Sequence, residues 1–218
     1  MSSIVLPVAY FAPVSYYAAL YCADDVWIEA NEHYIKQTLR TRCRIATDQG
    51  PQTLSVNVEK GNKLKMPIRE IRLSSHGDWQ RQHLYSLATY YGNSPFYEYY
   101  IDDLREIFLH GHDGTLFEMN EALRQHICKE IGFSPNVRYT EQWMGPLDCV
   151  GTNGSFLPEA PSLPFGSLEI PPYYQVAGVS GRQTFMPDMS ILDLLFNMGP
   201  ESILILENIK KSTRGREI

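Results

Sequence analysis

The opening of the chain constrains the fold more than any other part of it. Residues 4–11 are apolar and predict a buried strand, Ser15 can cap a helix over 16–23, and residues 26–30 predict a second strand. Strand, helix and strand in such quick succession form a compact βαβ unit, whose strands are normally parallel and whose connection is right-handed. The sequence therefore predicts an α/β fold built on a mixed, partly parallel, Rossmann-like sheet with flanking helices.

Further strands and helices follow this unit. Residues 40–46 and 53–58 predict two strands joined by TDQGPQ, whose Asp, Gly and Pro favour a turn, so we expect an antiparallel hairpin on the same sheet. The alternating pattern of 68–73 predicts another strand. Helical spacing of apolar residues and end signals predict three helices, at 79–91 with Asp78 as its cap, at 96–109, and at 116–131 with Gly132 at its end.

The last third of the chain changes character. Residues 145–172 are rich in proline and glycine and predict a long loop, and loops of this length are usually functional or flexible. GVSGR at 178–182 predicts a hairpin turn between 173–177 and 183–186, and two helices are expected at 190–197 and 201–207. We expect residues 1–209 to form a single α/β domain and residues 210–218 to be a polar, disordered tail.

The bulk composition excludes several classes of protein. The formal net charge of −6 argues against a general nucleic-acid or anionic-membrane binder. No apolar window reaches the roughly 18 residues of a membrane span, and the N-terminus lacks the basic start of a signal peptide. The four cysteines lack metal-binding spacing and indicate reduced thiols. These features predict a soluble, cytoplasmic protein.

The densest run of charged and polar side chains that could bind or react with a ligand is EANEHYIKQTLRTRCRI at 29–45. Side chains alternate across a strand, so Arg40, Arg42 and Arg44 are expected on one face, where they would bind the phosphate or carboxylate of a small anionic substrate such as a nucleotide, sugar or amino acid. In the alternative, the three arginines face solvent and pair with nearby carboxylates, those of Glu29, Glu32 and Glu59. Both interpretations are open at this point.

Asn31, His33 and Lys36 follow the end of the second predicted strand, where open α/β sheets bind their ligands. His33 is the candidate acid–base group because its intrinsic pKa lies near neutrality. Lys36 would neutralise charge that develops during a reaction. We therefore expect Asn31, His33 and Lys36 to converge with Arg42 and Arg44 on one pocket.

Four other reactive residues, three histidines and a cysteine, are assigned mostly structural roles. His83 is a second acid–base candidate, with a structural histidine as the alternative. His110 and His112, in HGHDG, lack a third ligand, so no metal site is predicted. Strand alternation turns Cys43 away from its arginine neighbours, which predicts a buried, unreactive thiol.

Five blocks of sequence carry a resemblance to a known family. They are VAYFAPVSYYAAL, EANEHYIKQTLRTRCRI, LSVNVEK, WQRQHLYSLATYYGNSPFYEYYIDDL and PYYQVAGVSGRQTFMPDMSILDLLFNMGP. In order and spacing the chain is similar to the bacterial WbqC-like family, apart from roughly 133–170 and the tail. Many members begin with a QPxFxPxxGY-like block. Here Val8 and Ala9 stand in place of its Gln-Pro, so no role of that Gln is carried over.

The resemblance implies a transferase in surface-polysaccharide (O-antigen) biosynthesis, one that places glycine or another amino-acyl group on a sugar. It assigns no catalytic role to any single residue. The family's recurrent polar positions fall here on Tyr10, Pro13, His33, Lys36, Gln37, Arg42, Arg44, Trp79, His83, Tyr174, Gln175, Pro187, Ser190 and Asp193. The alternative function is a non-catalytic sugar- or protein-binding module, which would use the aromatic runs FYEYY at 96–100 and PYYQV at 172–176.

The late segment adds one further expectation. Ser190 can cap the helix that follows it, and Asp193 in its first turn would pair with an arginine of the 40–44 strand. In the alternative, the Asp193 carboxylate only compensates the helix dipole. The predicted catalytic residues are thus His33 and Lys36. The predicted substrate-binding residues are Tyr10, Asn31, Arg42, Arg44, His83, Tyr174, Gln175, Ser190 and Asp193.

Overall fold

The structure is a computed structural model that describes residues 3–59, 66–110, 113–144, 169–176 and 184–214. Its central feature is a three-stranded parallel sheet of β1 (Ser3–Pro7), β2 (Asp25–Glu29) and β5 (Val137–Tyr139) in the order β1-β2-β5. Helix α1 (Val14–Cys22) connects β1 to β2. The predicted α/β fold and the parallel βαβ unit are therefore confirmed.

The ends of this first unit differ from the prediction. Strand β1 ends at Pro7, because the chain then leaves the sheet: the Tyr10 N–H bonds to the Leu39 carbonyl, and Phe11 takes a left-handed φ of 38°. Helix α1 begins one residue after Pro13, so Ser15 lies inside the helix and does not cap it. Residues 14–20 of α1 are all buried.

The predicted hairpin is present as β3 (Arg42–Thr47) and β4 (Gly50–Ser55), paired antiparallel. It forms a two-stranded sheet of its own, so the prediction that it joins the main sheet is wrong. Gly50, with φ of 103°, supplies the left-handed residue of the short connection.

The strand predicted at 68–73 is absent. Residues Ile68–Glu70 form a 3-10 turn after Pro67, and Arg72 and Leu73 make only isolated bridges, to Thr115 and Val58. The buried apolar residues are Ile68 and Ile71, three apart, which is the spacing of a 3-10 turn and not of a strand.

The middle of the chain is helical, as predicted. Helices α2 (Trp79–Tyr91) and α4 (Leu116–Ile131) have the predicted bounds, and α3 (Tyr97–His110) is displaced by one residue. Thr115 caps α4 by accepting a bond from the Glu118 N–H, and Gly132, at φ of 92°, ends it. Asp78 precedes α2 in a left-handed conformation, but its side chain makes no capping bond.

The chain ends in helices α5 (Ile191–Met198) and α6 (Ser202–Arg214), separated by a 3-10 turn at Gly199–Glu201. The predicted boundary at 209/210 falls inside α6, so residues 210–214 are helical and not a disordered tail. Most of the predicted loop at 145–172 and the GVSGR turn lie outside the described residues. Residues 173–176 and 184–186 have no strand structure.

Candidate functional site

The carboxyl ends of β2 and β5 meet around one buried carboxylate. Glu29, the last residue of β2, has no exposed surface. Its Oε1 accepts bonds of 2.7 Å from both the Asn31 N–H and the Thr140 hydroxyl, and its Oε2 accepts one of 2.7 Å from the Met144 N–H. Glu29 thereby holds the chain that leaves β5 against the end of β2, through a buried hydrogen-bond network at this edge of the sheet.

Asn31 and His33 stand at this edge. The Asn31 amide donates to the Thr140 carbonyl at 2.6 Å. His33 is exposed and forms an isolated bridge with Pro67, and Lys36 nearby along the chain is also exposed. The structure therefore places Asn31 and His33 where ligands of open α/β sheets bind.

The three alternating arginines do not share one environment. Arg40 is 1% exposed and pairs with buried Glu32, its Nε donating to Oε1 at 2.7 Å. Strand β3 begins only at Arg42, so the alternation does not reach back to Arg40. Arg42 is half-buried and Arg44 is exposed. The predicted single face of three arginines is therefore wrong, and the alternative of a pair with Glu32 holds for Arg40.

Arg44 has neighbours other than those of Asn31 and His33. Its Nη2 lies 3.5 Å from the Asp188 carbonyl, and its own carbonyl accepts a 2.7 Å bond from the Ser190 N–H. Within the described ranges no hydrogen bond or ion pair joins Asn31 or His33 to Arg42 or Arg44. The structure thus does not show the five predicted residues converging.

Tyr10 and His83 meet in the core. The Tyr10 hydroxyl bonds to His83 Nδ1 at 2.8 Å, and the Trp79 ring meets the imidazole edge-on with centroids 5.4 Å apart. Burial lowers the pKa of His83 to about 4, although a bond to the Ser55 backbone opposes this shift. His83 is therefore a neutral, buried histidine at pH 7, in accord with its structural alternative. Cys43 is likewise buried, and burial raises the pKa of its thiol.

Asp193 is fully buried, but no arginine of the described chain pairs with it. Its Oδ2 accepts 2.6 Å bonds from the Tyr173 hydroxyl and the Gln175 amide. Burial raises the pKa of Asp193, while donors that include the Tyr91 hydroxyl lower it. The predicted ion pair is therefore wrong, because this side of α5 faces the 173–175 segment and Tyr91.

The rest of the late segment is mostly as expected. Ser190 caps α5 by accepting a bond of 3.3 Å from the Leu192 N–H, as predicted. The Gln175 amide bonds to the Met186 backbone in both directions, at 2.9 Å each. Tyr174, by contrast, is exposed.

Arg69 was missed by the sequence analysis, because a strand was predicted at its position. The 3-10 turn instead places it beside the end of β2, where its Nε donates to the Ala30 carbonyl at 3.3 Å. Its guanidinium carbon lies 4.4 Å from the centre of the Phe117 ring and 5.7 Å from that of Tyr139. The proline before this turn and the three-residue spacing of Ile68 and Ile71 were the available signals.

A buried ion pair between Arg124 and Glu121 holds the Tyr139 side chain that lies beside Arg69. On α4, Arg124 donates to Glu121 through Nε at 3.0 Å and through Nη2 at 2.7 Å. The Tyr139 hydroxyl donates to Glu121 Oε2 at 2.9 Å. The ring under Arg69 is therefore held at its hydroxyl end as well as by its backbone in β5.

No group of three or more His, Cys, Asp or Glu residues is arranged to hold a metal ion in the described ranges. His110 is exposed there, and His112 lies outside those ranges. No helix in the part of the chain that the structure describes is long and apolar enough to cross a membrane.

Comparison with known proteins gives two matches. The model of the WbqC-like protein family matches residues 9–148. A relative, the uncharacterized protein Rv1507c of Mycobacterium tuberculosis (strain ATCC 25618 / H37Rv), is 27% identical over 209 residues, covering 86% of this chain and 89% of its own. No solved structure matches the chain significantly.

Proposed function

This chain belongs to the WbqC-like protein family, and we propose that it is a cytoplasmic transferase acting on a small anionic substrate in surface-polysaccharide (O-antigen) biosynthesis. The observation that supports a small-molecule site is the hydrogen-bond network at the carboxyl ends of β2 and β5, where buried Glu29 accepts bonds from Asn31 and Thr140. Such edges are the usual ligand sites of open α/β sheets. The reaction itself, transfer of an amino-acyl group to a sugar, rests on the family resemblance.

In this proposal the exposed residues beyond β2 carry the chemistry. His33 is exposed and moves a proton to or from the reacting group. Lys36, also exposed, neutralises the charge that develops in the transition state. Arg42 and Arg44 stay predicted anion ligands, on a hairpin in which the Arg44 carbonyl accepts a bond from the Ser190 N–H at the start of α5.

A thermal-shift screen with ATP, UDP-sugars and glycine tests the proposal. A ligand at one hundred times its Kd stabilises the state that it binds by about 2.7 kcal/mol, so a true substrate raises the Tm measurably. If no nucleotide, sugar nucleotide or amino acid raises the Tm of the wild-type protein, the proposed function is wrong.

The His33→Ala variant then tests the catalytic role. With a substrate pair from the screen, we expect product formation, followed by mass spectrometry, to fall by about two orders of magnitude or more, because a general acid–base group contributes that much. The ligand-induced shift in Tm should be unchanged. His76→Ala is the matched control, since His76 is also an exposed histidine. Equal loss in both variants would contradict a catalytic role for His33.

The alternative, a non-catalytic sugar- or protein-binding module, is favoured by one feature. Tyr85 on α2 and Tyr99 on α3 are each 74% exposed, and exposed aromatic rings commonly stack on sugars or bind proteins. Tyr97 and Tyr100 of the same aromatic run are half-buried and buried. Loss of glycan binding in a Tyr85→Ser or Tyr99→Ser variant, with no turnover by the wild type, would support this alternative.

A further inference from the structure

Arg69 is an exposed residue whose guanidinium group is held by a backbone carbonyl and by two aromatic rings. Its Nε is occupied by the Ala30 carbonyl, one residue beyond the end of β2. One face of the group lies over the Phe117 ring, with the Tyr139 ring further away. Aromatic stacking of this kind restrains a guanidinium without consuming its hydrogen-bond donors. The Nη1 and Nη2 groups therefore stay available along one edge.

Glu121, the carboxylate to which the Tyr139 hydroxyl donates, is already neutralised. Glu121 receives the Arg124 guanidinium and the Tyr139 hydroxyl, and it is buried. Arg69 itself forms no ion pair with a carboxylate among the described residues. An arginine so placed presents a preformed pair of N–H donors, and such a pair matches the spacing of two oxygens on a carboxylate or a phosphate.

We infer that Arg69 binds the anionic group of the substrate, a carboxylate or a phosphate, through its Nη1–Nη2 edge at the carboxyl end of β2. This inference rests on the proposed function, because it assigns a ligand group to the same edge of the sheet. Tyr139 is a positioning residue in this site, since it holds Arg69 through its ring and is itself held by Glu121. His33, on the adjoining segment, remains the proposed acid–base group.

The test measures the affinity of the full chain for two probes, inorganic pyrophosphate and malonate, by isothermal titration. Arg69→Ala should weaken binding of the preferred probe by about tenfold or more, because each hydrogen bond to a charged group is worth that much. Arg69→Lys should not restore it, since an ammonium cannot bind two oxygens side by side. The probe that binds more tightly identifies the anion as phosphate or carboxylate.

Arg138→Ala is the matched control. Arg138 also lies over an aromatic ring, with its guanidinium carbon 5.5 Å from the centre of Trp27, but it sits within β5 and not at the strand end. Its affinity for the probe should equal that of the wild type. Wild-type affinity in Arg69→Ala overturns the inference while leaving the proposed function standing. Failure of both probes to bind the wild type also overturns the inference, whereas the proposed function is decided separately by the thermal-shift screen.

A second pair of variants tests the positioning role and avoids disturbing the fold. Tyr139→Phe keeps the ring but removes its bond to Glu121. It should weaken probe binding by about threefold, because it affects the probe only through Arg69 and so by no more than the weakest hydrogen bonds contribute. Tyr21→Phe is its control, because the Tyr21 hydroxyl also contacts a carboxylate, Glu207 at 3.5 Å, below the Lys210 ammonium. Unchanged affinity in Tyr139→Phe removes Tyr139 from the site.

Discussion

At the scale of single residues, several charged or titratable groups are buried with hydrogen-bond partners. Arg40 and Glu32 form a pair inside the core, and the Asn120 amide donates to the Arg40 carbonyl at 2.9 Å. Burial raises the pKa of Glu32, whereas Arg40 lowers it. His83 is the buried group whose titration has the clearest consequence, because its pKa of about 4 lies well below its ordinary value of 6.5.

We expect the stability of the protein to fall from pH 7 to pH 4, in part because of His83. Below pH 6.5 the unfolded chain binds a proton at this residue and the folded chain does not, so unfolding is favoured as the pH decreases. The loss in free energy of unfolding that His83 causes reaches about 3 kcal/mol near pH 4, at 1.36 kcal/mol per pKa unit. It falls to about 0.4 kcal/mol at pH 6.5, where half of the unfolded chains are protonated at this residue, and vanishes as the pH rises further. Urea denaturation at several pH values measures the effect.

The comparison is between His83→Gln and His76→Gln. The first removes the buried imidazole, so its free energy of unfolding should decrease less between pH 7 and pH 4 than that of the wild type. The second removes an exposed imidazole and should follow the wild-type curve. Identical slopes for wild type and His83→Gln would show that His83 titrates normally.

At the scale of elements, α1 is capped by a residue from the far end of the chain. Pro13 stands at its N-cap and makes no side-chain bond. Instead the Asp188 carboxylate accepts bonds of 2.9 Å from both the N–H and the hydroxyl of Ser15. This also means that the Ser15 N–H, which a phosphate would otherwise use at such a helix start, is already occupied.

Asp188→Ala should lower the free energy of unfolding by about 1–2 kcal/mol, the range measured for losing a helix cap. Alanine is further disfavoured because Asp188 has a left-handed φ of 55°. Asp188→Asn, which tolerates that conformation and keeps an acceptor oxygen, should lose less. Urea denaturation gives both values, with Asp48→Ala in the exposed β3–β4 turn as the control. Wild-type stability in Asp188→Ala would mean that the cap contributes nothing.

This long-range cap shows what the sequence could predict and what it could not. The bounds of α4 follow from Thr115 and Gly132, which act on their own neighbours, so they were predictable. The start of α1 depends on Asp188. The surroundings of Arg69 combine a 3-10 turn with Phe117 of α4 and Tyr139 of β5. Asn31 and His33 were predictable as strand-end residues. Arg69 was not, because nothing local indicates that Phe117 and Tyr139 lie beneath it.

At the scale of the whole molecule, one buried carboxylate joins distant parts of the chain. Asp193 on α5 accepts bonds from Tyr173 and Gln175. The Tyr91 hydroxyl, at the end of α2, also donates to Asp193 and accepts a bond of 2.9 Å from the Ala46 N–H of β3. Segment 169–176 is thus attached to α5 by hydrogen bonds to Asp193 and, through the Val176 N–H, to the Asn197 side chain, as well as by the buried side chain of Ile170.

Asp193→Asn should therefore lower the free energy of unfolding by about 1–3 kcal/mol, because the new amide places donors against donors in a buried site. Asp102→Asn, an exposed change on α3, is the control for the loss of one negative charge. If Asp193→Asn were as stable as the wild type, the buried carboxyl would have to be protonated already, with asparagine as its near equivalent.

The bonds between Ser15 and Asp188 also set the order in which the protein can be completed during synthesis. The two residues are 173 positions apart, and the Ser190 hydroxyl bonds to the Phe11 carbonyl across a similar interval. At ribosomal rates of about 5–20 residues per second, roughly 10–35 s pass between the emergence of one partner and that of the other. During that time the first βαβ unit exists without its cap and with its apolar helix uncovered. Nascent chains of this protein should therefore depend on chaperones until the last fifth of the sequence has left the ribosome.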